Sequence, residues 1–131
     1  MTNFRESVLY YNPSATAKTA QVKGVLVRMG IRIRNIVPDQ AVQTVGYLAG
    51  LDGFEEQPVP EKIPDMDEEI LVMLNFTSSR IDELLRQLKK AGIPKIELKA
   101  VVTETNCKWT FYKLYQEIKE EHDTLQKKKD E

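Results

Sequence analysis

The chain has 131 residues, with 19 Lys and Arg against 20 Asp and Glu, for a formal net charge of -1. At 41% hydrophobic and 30% charged it reads as an ordinary globular domain, and this charge balance excludes a dedicated nucleic-acid binder. No apolar run reaches the roughly 18 residues of a membrane span, and one Cys with one His leaves no internal disulfide and no four-ligand zinc site.

The opening MTNFRESVLYYNP has an acidic residue and no small-residue cleavage site. No secretory signal is expected there. Ser7–Tyr11 is an apolar, aromatic run ended by Asn12-Pro13, as a buried strand leaves a sheet. Ser14 is placed to cap a helix carrying Val22, Val25, Leu26 and Met29 on one face, stopped at Gly30. Ile31 to Val37 is the second strand. Pro38-Asp39 opens a second helix with Val42, Val45, Leu48 and Ala49 on one side, closed by Gly50.

Residues 52–68 are acidic and contain Pro58, Pro60 and Pro64. They form either a stiff surface connection or a cover over one end of the sheet. Glu69–Leu74 is the third strand, ended by Asn75; Thr77, Ser78 and Ser79 supply caps. The helix that follows spaces Ile81, Leu84, Leu85, Leu88 and Ala91 for one face and stops at Gly92. Ile96–Val102 is the fourth strand. The last helix is expected from near Asn106, burying Phe111, Leu114, Tyr115 and Ile118, with residues 127–131 as a frayed tail.

The plan is a single α/β domain, residues 1–131, made of two βαβα units (1–51 and 69–126) joined by 52–68. Asn12 matches Asn75, and Met29-Gly30-Ile31 matches Ala91-Gly92-Ile93, which suggests an internal repeat. The first and third strands are apolar on both faces and belong at the centre. The second and fourth alternate: Arg32, Arg34, Glu97 and Lys99 expose one face and discourage edge pairing. Right-handed crossovers then predict a small three-layer parallel sheet in the order 2-1-3-4. In that arrangement the carboxyl ends of strands 1 and 3 lie side by side.

Those ends define the candidate ligand site. Asn12, Ser14 and Thr16 open one helix; Asn75, Thr77, Ser78 and Ser79 open the other. Two such helix starts together offer free N–H groups to a small ligand or anion. Asn12 to Thr19 also has the register of a phosphate-binding loop, with Lys18-Thr19 at its end, but both glycines are missing and Pro13 removes a donor. An ordinary capped helix explains it better.

No acid, base and nucleophile converge elsewhere. Cys107 beside Lys108 has no His near it in sequence, and His122 lies among Glu120, Glu121 and Asp123. Trp109 and Tyr112 flank the buried stripe of the last helix. Ala17, Ala20 and Gly24, and Gly46 in the second helix, are small residues suited to tight packing on the sheet. No catalytic residue, metal or cofactor is expected.

MGIRIR (29–34), QTVGYLAGLDGF (43–54), ELKAVVTETNCKWT (97–110) and LYQEIKEEH (114–122) resemble a family of short bacterial proteins that carry a domain of unknown function. In that family the domain falls over about residues 67–123 of this numbering. Thr103, Asn106 and Trp109 form its most distinctive pattern, expected to be structural: Asn106 caps the last helix and Trp109 covers the end of the sheet. The resemblance implies a bacterial cytoplasmic protein and brings no activity with it. The expected function is a non-enzymatic interaction or self-association module, as a homodimer or with another protein. A small-ligand or anion-binding regulatory domain is the alternative.

Overall fold

A computed structural model describes residues 6–14 and 17–129. Its elements are β1 (Ser7–Tyr11), α1 (Ala17–Arg28), β2 (Arg32–Asn35), a 3-10 turn (Pro38–Val42), α2 (Val45–Leu48), β3 (Ile70–Leu74), α3 (Ser78–Lys90), β4 (Leu98–Val101), a second 3-10 turn (Asn106–Lys108) and α4 (Phe111–Lys129). α4 runs through Lys129, into the segment expected to fray. One four-stranded sheet has the order β2-β1-β3-β4, the order that burial predicted.

Both faces of the sheet are covered. Val8, Tyr10, Leu71 and Met73 meet Val22, Val25 and Leu26 of α1 and Leu84 and Leu88 of α3. On the other face Leu9, Tyr11, Ile70, Val72, Leu98 and Ala100 meet Val45, Leu48, Phe111, Leu114 and Tyr115. These sets alternate along each strand, as the pleat requires. α1 and α3 end alike: Gly30 (φ 72) and Gly92 (φ 74) take the left-handed conformation, and Ile31 and Ile93 donate back to Leu26 and Leu88.

Strand direction corrects the expectation. β1 pairs with β2, and β3 with β4, in parallel, but β1 and β3 are antiparallel, so the sheet is mixed. A strand buried on both faces shows the same pattern whichever way it runs, so burial gave position without direction. Direction is set by the connection. The Tyr11 hydroxyl donates to the carbonyl of Met66 (2.8 Å), and the Tyr115 hydroxyl accepts from the N–H groups of Asp67 and Glu68 (both 3.2 Å). The chain therefore enters β3 beside the end of β1 and runs back along it.

The two halves meet reciprocally. Leu9, third in β1, faces Val72, third in β3; Ser7 heads β1 opposite Arg32 as Ile70 heads β3 opposite Leu98. Thr44 and Thr110 form an isolated antiparallel bridge. Around it the Val45 N–H donates to Trp109 and the Phe111 N–H to Gln43, each at 2.8 Å. This bridge holds Gln43, Thr44 and Trp109 extended. The second and last helices therefore break where single helices from Pro38 and from Asn106 were expected. Thr44 and Thr110 then cap α2 and α4, accepting from Tyr47 and Lys113 (both 3.1 Å).

The connection is tied down. The buried Gln43 amide donates to the Gln57 carbonyl (2.8 Å) and accepts from its N–H (2.7 Å). Gly46 is required by Phe54, because an added Cβ would lie 2.5 Å from that ring. Residues 52–68 thus cover the α2 side of the molecule and are more than a tether.

Candidate functional site

The antiparallel centre separates the expected ligand residues. Asn12 and Ser14 follow the end of β1 beside Ile70, whereas Asn75, Thr77, Ser78 and Ser79 follow the end of β3 beside Ser7. About 17 Å of strand lies between them, and no single site at adjoining carboxyl ends exists. Thr16 lies outside the described residues. Each cluster has a local role. The Asn12 side-chain oxygen accepts from the Ser14 N–H (3.0 Å), and Thr77 caps α3 by accepting from the Arg80 N–H (3.2 Å). Asn75 takes φ 65 at the turn out of β3; Ser78 and Ser79 are exposed in the first turn.

Lys18 is held within the protein. Its Nζ lies 2.6 Å from Glu69, the residue before β3, and the Tyr10 hydroxyl donates to the other oxygen of that carboxylate. A mirror arrangement joins Arg80, at the start of α3, to Glu6, the residue before β1, through two bonds of 2.8 Å. Each helix start is thus clamped to the strand start of the other half. This is an architectural use of the charges, and Lys18 is engaged by a carboxylate where a phosphate loop would need it available.

Burial, with Glu69 as acceptor, pushes the Tyr10 phenol well above its ordinary value of 10. The folded state then holds its proton where the unfolded chain has lost it, so stability is intact below about pH 10 and erodes above it. Unfolding free energies measured from pH 9 to 12 should fall with pH. In Tyr10→Phe that fall should be shallower by up to about 1.4 kcal/mol per pH unit; an unchanged slope contradicts the assignment.

A concave surface remains on the α2 face of the first half. It encloses about 500 Å³ and is lined by Ser7, Arg32, Arg34, Leu48, Leu51 and Asn75, among others. It exists because the two halves are covered unequally. α4 has 19 residues and lays Leu114 and Tyr115 over Ile70, Leu98 and Ala100; α2 has four. The equivalent positions in the first half are Ser7, Arg32 and Arg34, polar where Ile70, Leu98 and Ala100 are apolar: Ser7 pairs with Arg32 and Leu9 with Arg34 as Ile70 pairs with Leu98 and Val72 with Ala100. Gly50 (φ 77) ends the short helix and turns the chain away. Arg34 Nη1 donates to the Leu48 carbonyl at 2.6 Å, which satisfies the helix end and orients the guanidinium. In sequence, Arg32 and Arg34 read only as charges that blunt an edge strand. The signal available was Gly50, which has no glycine counterpart in the last helix.

Thr103, Asn106 and Trp109 are brought together at the end of β4, though not as expected. The Asn106 side-chain oxygen accepts from the Thr103 N–H (2.8 Å), its amide donates to the Val101 carbonyl (2.9 Å), and its own N–H donates to the Thr103 hydroxyl (3.0 Å). Asn106 therefore locks the strand exit, and Thr110 caps α4 in its place. Trp109 is half-buried, with Lys113 Nζ 4.9 Å from the ring centroid. Asn106→Ala should cost about 1–2 kcal/mol, since the buried Asn106 amide is lost and the Thr103 N–H and Val101 carbonyl lose partners; urea unfolding with unchanged stability would refute this.

Cys107 is buried, its thiol donating to the Glu104 carbonyl (3.3 Å), and His122 Nε2 lies 3.7 Å from Glu97. Ala17 and Ala20 are exposed on α1, so that stripe is not packed on the sheet. Among the described residues no group of three or more His, Cys, Asp and Glu is placed to hold a metal, and no helix is long and apolar enough to cross a membrane.

These features define a small three-layer α/β protein on a mixed four-stranded sheet, with one open cleft on its less covered half. Residues 69–125 match the family model described as a domain of unknown function (DUF3783), so the β3-α3-β4-α4 unit carries that domain, at the place the resemblance implied. No curated protein and no solved structure matches the chain.

Proposed function

We propose that this is a non-enzymatic binding module whose receiving surface is the cleft over β1 and β2. The observation that carries it is the unequal cover: α2 stops after four residues, and the floor it leaves open carries Ser7, Arg32 and Arg34. Glu6, Arg80, Lys18 and Glu69 hold the architecture, which leaves them no free chemistry. The reciprocal bridge at Thr44 and Thr110 and the paired clamps support an internal repeat, one unit closed by its long helix and the other kept open. The resemblance supports a bacterial cytoplasmic protein. Self-association through the same face is the homodimer form of this reading, checked by sedimentation velocity over a concentration series.

The test is a panel of small neutral and charged organic fragments, followed by backbone amide shifts in NMR spectra of the full chain. Perturbations should gather on Arg32–Asn35 and on residues 48–51. Perturbations gathered instead around Asp65, Tyr112 and Lys119, or spread evenly, would overturn the proposal.

A further inference from the structure

We infer that the cleft takes a small organic anion, its acid group held by Arg32 and Arg34 and its apolar body by Leu48, Leu51 and Leu74. This rests on the cleft being the receiving surface. Arg32 and Arg34 alternate along β2, so their stems leave the same side of the sheet, beside Ser7 and Leu9. The two clamp cations each have a carboxylate partner: Lys18 has Glu69, and Arg80 has Glu6. Among the described residues neither Arg32 nor Arg34 has a carboxylate within 4.0 Å. Two arginines whose Cα atoms are about 7 Å apart along one strand put like charges on one face, and an oxyanion bridging them offsets that repulsion while taking bidentate hydrogen bonds. Arg34 is already oriented by the Leu48 carbonyl, so little freedom is lost on binding.

The open cleft, about 500 Å³ in volume, has room for far more than a bare oxyanion. Leu48 is buried and Leu51 and Leu74 are half-buried, which gives the space an apolar wall. A carboxylate and a phosphate monoester share the chemistry that the arginines recognise.

The full-length protein is titrated with phenyl phosphate, with benzoate and with benzyl alcohol, which carry the same ring with different head groups. At least one acid should shift the amides of Arg32–Asn35 and Asn75 with about tenfold higher affinity than the alcohol. Arg32→Gln, an exposed substitution that leaves the fold intact, should lower that affinity about tenfold. The stronger of the two acids identifies the head group. Equal binding of alcohol and acids, or acid binding unchanged in Arg32→Gln, would overturn the inference and leave the receiving surface standing. No shift at the cleft with any of the three, together with none from the fragment panel, would overturn both.

Discussion

Phe111→Ala is expected to destabilise the protein by about 3–5 kcal/mol, the largest effect of any single substitution considered. Phe111 is 0% exposed and opens α4 at the point where the halves meet. Its ring packs with Val45, Leu114 and the α4 face of the sheet, while its N–H donates to Gln43. Truncation leaves a cavity at the junction that covers both halves, and the extended Thr44–Thr110 bridge prevents the helix from sliding in to fill it. Chemical denaturation should show the full loss in a single transition. A loss under about 1 kcal/mol would mean that this junction is not a packed core.

Glu69→Ala should cost about 3 kcal/mol. Two groups depend on this carboxylate, the Lys18 ammonium at 2.6 Å and the Tyr10 hydroxyl, and the side chains of Glu69 and Lys18 are only 14% and 18% exposed. Removing it takes a carboxylate that a half-buried cation and a phenol share, so the penalty exceeds that of a surface ion pair. Glu69→Gln, which keeps an acceptor, should cost less. Lys18→Met provides the internal check: it removes the cation, so Glu69→Ala in that background should cost about 1–2 kcal/mol less than alone. Additive losses would show that the clamp does not couple the halves.

Much of the architecture is legible in the sequence. The apolar periodicity of Val22, Val25 and Leu26, and of Leu84 and Leu88, placed α1 and α3, and Gly30 and Gly92 placed their ends. Two-sided burial of Val8 to Tyr11 and of Ile70 to Met73 placed β1 and β3 at the centre. The direction of β3 was not legible, because it depends on where Tyr11 and Tyr115 anchor residues 66–68, contacts between segments far apart in sequence. That one reversal dissolved the expected ligand site, since it sent Asn12 and Asn75 to opposite ends.

The cleft was hidden for a related reason. Ser7, Arg32 and Arg34 look like ordinary edge residues until the length of α2 is known; the Thr44–Thr110 pairing delays its start and Gly50 ends it. Such a bridge leaves no periodic trace. Asn106 shows the same limit at smaller scale. Its polarity and position marked a helix start, but its partners are the exit of β4, and Thr110 took the capping role.

The antiparallel junction of the two halves decides which surface is open, and a distance measurement tests it most directly. Spin labels at exposed Ser14 and Ser78, introduced as cysteines in a Cys107→Ser background, report the separation of the two helix starts. The account predicts labels at opposite ends of the sheet, farther apart than the roughly 17 Å length of a central strand. A separation near the ~5 Å spacing of neighbouring strands, broadened only by the label arms, would place the two starts side by side and contradict it.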